Sequence, residues 1–320
     1  MAAAAKFDLS LVIPVLNEEK NVPLLYEKLL EVLNTLDKTF QIIFVDDGST
    51  DATFTVLSNL HEKDNRVHAI KFTRNFGKSA GYAAGFNHAS GRVVITMDGD
   101  LQDDPKDIPA VMAAIEAGSD MVVGWKTEGL DKGVKGKSLP SFIFNRVTAR
   151  LTGLKIHDMN CPFKGYTLDV AQAIAAQLHG ELYRYQPLLA HKMGYSIKEV
   201  QVENLPRLHG ATKYGFSRFL RGFLDLLTVI FLTRWTDRPL HLFGTLGLMA
   251  SAFGALIILA LYINKFATGV GIGNYQPLFS LAILLVIFGA QFFSIGLVGE
   301  LIAMKDRDHQ GRYTIRDQLE

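Results

Sequence analysis

Cys161 is the only cysteine in 320 residues. That excludes an intrachain disulfide and leaves no cysteine cluster for zinc. The nine histidines supply no H-x-x-x-H spacing in its place. Neither sign of charge is in excess. Lys and Arg number 33, Asp and Glu 32, for a net charge of +1, and no basic tail is present. Bulk charge therefore gives no case for nucleic acid as a partner. Two common phosphate-binding signatures are missing as well. No G-x-x-x-x-G-K-[ST] occurs, and no G-x-G-x-x-G follows a strand, so P-loop nucleotide hydrolysis and the dinucleotide fingerprint are set aside. The opening "MAAAAKFDLS" is too short and too soon charged for a signal peptide, and is expected to be a frayed lead-in. There is no internal repeat.

Charge disappears from two long stretches. Pro239 to Asn264 is 26 residues without Lys, Arg, Asp or Glu, and Phe266 to Gly299 is 34 more. A hydrocarbon core takes roughly 20 apolar residues of helix, so each stretch can span it. Two buried core helices are the alternative, but globular helices rarely run so far without charge. Gly244, Gly247, Gly254, Gly289, Gly296 and Gly299 also suit close packing between membrane helices. Arg234, Arg238, Lys305, Arg307, Arg312 and Arg316 flank the outer ends, which places both termini in the cytoplasm. Just before the hairpin, Phe216, Phe219, Leu220, Phe223, Leu227 and Phe231 recur at helical spacing among Arg218, Arg221 and Asp225. This reads as an interfacial helix lying on the bilayer, with a soluble core helix as the alternative. The expected organisation is a cytoplasmic catalytic domain over residues 1–212, the interfacial region over 213–238, two transmembrane helices over 239–304 and a tail over 305–320.

Residues 1 to about 210 alternate strands with helices. "LSLVIPVL", "FQIIFV", "VHAIKFT" and "RVVITM" read as strands. The helical segments between them include "EEKNVPLLYEKLLEVLNTL" and "ATFTVLSNLHEK". Such alternation predicts an α/β domain with a parallel, doubly wound sheet. Ligands on such sheets sit beyond the carboxyl ends of the strands. That edge gathers Asn17, Glu18 and Glu19, then Asp46, Asp47 and Asp51, then Arg74, Asn75 and Lys78, and finally "DGDLQDDP". Each cluster has a local alternative: Asp51 as a helix cap, Gly48 as a turn residue, Asp103 and Asp104 ahead of a helix opened by Pro105. All of them meeting at one edge is better explained by a site. Asp98, Asp100 and Gln102 alternate out of the fourth strand, so their oxygens can converge on a hard divalent cation, Mg²⁺ or Mn²⁺. The cation would also relieve repulsion among the carboxylates.

"VIPVLNEE", "VDDGSTD", "RNFGKSAGYAAG", "DGDLQDDP" and "PRLHGATKYG" occur in an order that resembles family 2 glycosyltransferases. The likeness is to the polyprenyl-phosphate group, which includes dolichol-phosphate mannose synthase and bacterial GtrB- and ArnC-type enzymes, and it covers nearly the whole chain. The resemblance implies a GT-A fold. It assigns Pro14, Glu18, Val45, Asp47, Lys78, Asp98 and Gly99 to the donor, with Asp47 reaching the base. It makes Asp100 and Gln102 metal ligands, and adds Arg207 and Lys213 to Asp100 as catalytic residues that clamp phosphate. Gly99 stands where Ala is usual in D-A-D, Leu16 where some relatives have an aromatic residue, and Thr212 where Ser is common. Lys126, Lys132, Lys135 and Lys137 occupy a stretch where relatives often carry arginines near the acceptor.

The implied reaction moves one sugar, with inversion, from a UDP- or GDP-linked donor to a polyprenyl phosphate such as undecaprenyl or dolichyl phosphate at the bilayer. Two rivals remain at this point: a processive polysaccharide synthase, and a non-catalytic nucleotide-sugar-binding membrane protein. Only two spans and no Q-x-x-R-W motif argue against the first, and intact charged motifs against the second. Glu181, Arg184, Asp158 and Asn160 are further candidates for the acceptor side. Cys161 reads as a packing residue. The sugar, the isoprenoid length and homo-oligomerisation are left open.

Overall fold

The structure, a computed structural model, describes residues 5–126, 154, 156–180, 182–203, 205, 231, 235 and 238–309, with side chains to 304. The chain divides into two compact units, Met1–Phe223 and Leu224–Glu320.

The first unit is built on a seven-stranded sheet. Its strands are β1 (Phe7–Val15), β2 (Phe40–Asp46), β3 (Val67–Lys71), β4 (Gly91–Thr96), β5 (Met121–Lys126), β6 (Lys164–Thr167) and β7 (Ile197–Val202). In space they run β3-β2-β1-β4-β6-β5-β7. Among the described residues its α-helices are α1 (Asn21–Leu33), α2 (Thr53–Lys63), α3 (Lys78–His88), α4 (Ile108–Glu116), α5 (Leu168–Ala175) and α6 (Gln186–Lys192). Strands covered on both faces need unbroken apolar runs, and β1 is buried from Leu9 through Val15. Helix α1 turns Val22, Leu25, Leu29 and Leu33 inward at three- and four-residue intervals.

The sheet is mostly parallel, as expected, with one antiparallel strand. β6 pairs antiparallel with β4 and with β5, while the remaining pairs are parallel. It is four residues long and lies well downstream of β5 in sequence, so no local periodicity announces it. The chain builds β1, β2 and β3 toward one edge and then returns to place β4 on the other side of β1. Strand order therefore reverses between β1 and β4, where α/β sheets open a ligand crevice. The last β1–β4 pair is Val12 with Thr96. Pro14, which has no N–H to donate to a ladder, follows two residues later.

The second unit holds α7 (Pro239–Thr268) and α8 (Gln276–His309). Both carry windows of mean hydropathy above 2 and are long and apolar enough to cross a membrane. A Cβ added at Gly247 would stand 2.5 Å from the Gly289 carbonyl oxygen, and one at Gly254 would stand 2.6 Å from that of Ala282. Glycine is what lets these backbones approach, as at many membrane helix crossings. The glycines expected to form such a seam do form it. Glu300 on α8 accepts the Leu240 N–H at 3.3 Å, capping an orphan donor at the start of α7. Of the expected interfacial helix, only Phe231 and Trp235 fall among the described residues.

Candidate active site

A cavity of about 350 Å³ opens at the switch point between β1 and β4, toward the lower end of the roughly 300–1,000 Å³ usual for ligand sites. Four segments line it. The end of β1 gives Pro14, Val15, Leu16 and Glu18, and the end of β2 gives Asp47. The loop before α3 gives Asn75, Gly77 and Lys78, and the turn after β4 gives Asp98, Gly99 and Asp100.

Small residues seat α3 close to β1. A Cβ at Gly81 would lie 3.1 Å from Pro14, and one at Gly85 would collide with Val12. That proximity delivers Lys78, the first residue of α3, into the cavity. Its Nζ lies 2.5 Å from Asp98 Oδ1. Burial works against the ammonium, but Asp98 outweighs it and holds the Lys78 pKa above its ordinary value. The loop that leads into α3 is tied down by Asp47. Its carboxylate is buried and accepts N–H groups from Phe76 at 2.7 Å and Gly77 at 3.0 Å. Gly48 follows with φ +76°, and a Cβ there would lie 2.5 Å from the Arg74 carbonyl carbon, so the turn residue is a steric requirement.

The turn after β4 differs from its expected form. β4 ends at Thr96, so Asp98, Asp100 and Gln102 do not simply alternate out of a strand. They lie on a compact turn in which buried Leu101 adopts φ +63°, an uncommon conformation for a residue with a branched side chain. Asp100 Oδ1 accepts the Gln102 N–H at 3.2 Å. Asp103 is buried, with Oδ2 on the Asp98 N–H at 3.0 Å and Oδ1 at 2.9 Å from Lys126 Nζ. Asp104 accepts the Lys106 N–H at 3.0 Å, starting the turn that leads into α4. Half of the acid cluster is therefore structural. Past β7, the Leu205 N–H donates to the Gln102 carbonyl at 2.9 Å, anchoring the chain to this turn two residues before Arg207.

Pro14, Glu18, Asp47, Lys78, Asp98, Gly99 and Asp100 thus share one cavity. Val45 does not line it: the residue sits in β2 with no exposed surface. Gln102 belongs to the same turn but is not in the lining. Arg207, Lys213, Glu181 and the three lysines at 132, 135 and 137 lie outside the described residues. Lys126, grouped with those lysines in sequence, forms an ion pair with Asp103. Asp51 is a cap, accepting the Thr53 N–H at 3.0 Å. Asp158 accepts the Asn160 N–H at 3.2 Å within a turn. Burial pushes the Cys161 thiol up to about 12, far too high for a nucleophile at neutral pH. Tyr183 was not anticipated. It reaches the site because its N–H donates to Ser79 Oγ at 3.1 Å, leaving its ring 5.8 Å from Lys78 Nζ.

Residues 10–174, which contain every cavity-lining residue, match the sequence model of glycosyl transferase family 2. The chain belongs to that family. This glycosyltransferase is 38% identical over 300 residues to dodecaprenyl-phosphate galacturonate synthase of Rhizobium johnstonii, covering 92% of this chain and 88% of the relative. It is 33% identical over 315 residues to undecaprenyl-phosphate 4-deoxy-4-formamido-L-arabinose transferase of Shewanella sediminis, covering 97% and 92%. Among solved structures, the crystal structure of a mycobacterial protein matches with a TM-score of 0.51 at 14% identity, covering 72% of this chain and 76% of the other. At that identity the likeness is one of fold. The glycosyltransferase domain is of GT-A type, with its mixed sheet and C-terminal apolar helix pair.

Proposed function

We propose that this enzyme transfers one sugar from a nucleoside-diphosphate donor to a polyprenyl phosphate at the membrane surface, with inversion at the anomeric carbon. The observation that carries the reading is the convergence at the switch point: Asp47 and Glu18 on one side, Lys78 on another, and the Asp98–Asp100 turn. The names of the two relatives, both polyprenyl-phosphate sugar enzymes, support the acceptor class.

Asp100 and Gln102 offer carbonyl and carboxylate oxygens, a donor set that fits Mg²⁺ or Mn²⁺. Among the described residues no three His, Cys, Asp or Glu side chains gather into a ready-made cage. Such a turn suits a cation that completes its shell with substrate phosphate and water, as Mg²⁺ usually does. When bound, the cation would offset charge on the departing diphosphate. Lys78, Arg207 and Lys213 would add fixed positive charge around the same phosphates, and Asp47 keeps the nucleoside wall in place through the Phe76–Gly77 backbone. The acceptor phosphate is anionic near pH 7, so the chemistry needs no strong general base. Preorganised electrostatics is the main demand.

The proposed organisation keeps the catalytic domain over 1–212, an interfacial region over 213–238 and two spans over 239–304, with both termini cytoplasmic. A tether at the bilayer replaces a bulk search for the lipid head by a local one. The test is a panel of UDP- and GDP-sugars offered to the purified enzyme with undecaprenyl and dolichyl phosphate. Labelled sugar should enter the lipid extract as a single-sugar product. A growing polymer, or no transfer from any donor, would reject the reading.

A further inference from the structure

We propose that Asp103 and Lys126 form a clasp that fixes the turn after β4 in its ligand-binding shape, which makes Asp103 a positioning residue and not a cation ligand. Asp103 is 2% exposed, with one oxygen in a hydrogen bond and the other in an ion pair. Oδ2 holds the Asp98 N–H and Oδ1 meets Lys126 Nζ, at 3.0 and 2.9 Å. Lys126 is the last residue of β5, which is not a neighbour of β4: β6 lies between them. The ion pair therefore reaches across a strand and connects the turn to the far half of the sheet.

The turn has reason to need such a hold. Leu101 at φ +63° is a conformation that persists only where its surroundings over-determine it. Other hydrogen bonds at 98–102 include Asp100 to the Gln102 N–H within the turn, Leu205 to the Gln102 carbonyl from outside, and Tyr82 Oη to Asp98 Oδ1 at 3.4 Å. Of these only the Tyr82 contact reaches Asp98, and it does so at the side chain. Its backbone is held by Asp103, and its side chain is what Lys78 pairs with. A buried carboxylate also needs its counter-charge, because losing one partner leaves the other uncompensated. Lys126 is thus matched to Asp103. The use of the clasp in catalysis rests on the reading of 98–102 as the donor and cation turn.

Hydrogen exchange separates the two ideas. In the full chain in detergent, Asp103→Ala and Lys126→Met should each speed exchange in a peptide covering 97–102 by about tenfold or more, the change implied by losing one charge-assisted hydrogen bond or one buried ion pair. Peptides from β1 and β2 should exchange as in the wild type. Asp103→Asn keeps an acceptor for the Asp98 N–H and should fall between. Mn²⁺ affinity, read by electron paramagnetic resonance without substrates, should weaken several-fold in the first two variants. Wild-type exchange at 97–102 in both would overturn the clasp. So would acceleration spread evenly over all strands, which marks a general loss of stability. A wild-type chain that binds no Mn²⁺ would reject the cation reading, while the exchange comparison still decides the clasp.

Discussion

Asp47, at the end of β2, accepts the backbone N–H of Phe76 at 2.7 Å across the mouth of the cavity. One carboxylate thus sets the position of a loop that carries Asn75, Gly77 and Lys78 into the site. Asp47→Ala should release that loop. Nucleotide affinity, measured by calorimetry with UDP and GDP in the presence of Mn²⁺, should fall at least about tenfold, roughly 1.4 kcal/mol, for whichever nucleotide the wild type binds. Unchanged affinity would show that the loop keeps its shape without Asp47.

Asp100→Asn removes a charge at nearly constant shape. Turnover should be abolished while the thermal transition stays within a degree or two of wild type, and excess EDTA should reproduce the loss in the unmodified enzyme. Full activity in EDTA would remove the cation from the reaction.

Arg207→Ala and Lys213→Ala should each lower turnover at saturating substrates by at least about tenfold, roughly 1.4 kcal/mol of transition-state stabilisation. Arg207 carries the stronger expectation, because the chain two residues before it is held on the acid turn by the Leu205–Gln102 hydrogen bond. Wild-type turnover in either variant would assign that residue a structural task.

Away from the site, Asp64 ties α1 to the β3 edge. It accepts Tyr26 Oη at 2.8 Å and Arg66 Nη2 at 2.8 Å, and the Arg66 hydrogen bond is the largest reason its carboxyl is held down at about 2. A depressed pKa stabilises the folded state above the unfolded value near 4, and the contribution is lost as pH falls toward 2. Asp64→Asn should therefore destabilise the enzyme at pH 7 by up to about 2 kcal/mol and by less at pH 3. Thermal unfolding at the two pH values measures the difference. An equal cost at both would place the effect in packing alone.

The parts of this molecule legible in its sequence are those written in local pattern. β1, β2 and β4 are apolar runs that end on acids, because a strand covered on both faces must be apolar until it reaches the ligand edge. The hairpin is legible because 26 uncharged residues in a row have few other uses. What was not legible is long-range pairing. β6 is too short to carry a period and takes its direction from β4 and β5. Nothing near Asp103 announces that its partner is Lys126, or near Asp47 that it serves the loop before α3. In each case the structural partner is distant in sequence. Val45, which the motif places beside the donor, is buried in β2 and does not line the cavity.

Gly99 lies against β1 so closely that a Cβ there would stand 2.7 Å from Val15 Cγ1. The acid turn and the end of β1 therefore compete for the space of a single methyl group. Val15 is β-branched and buried, with little rotameric freedom to yield it. Alanine at 99 with Val15 retained would have to lever the two carboxylates at 98 and 100 away from Pro14. The same alanine beside a smaller residue at 15 would fit without moving them. These two positions therefore share one small volume, and the distance between β1 and the acid turn is set by both side chains together.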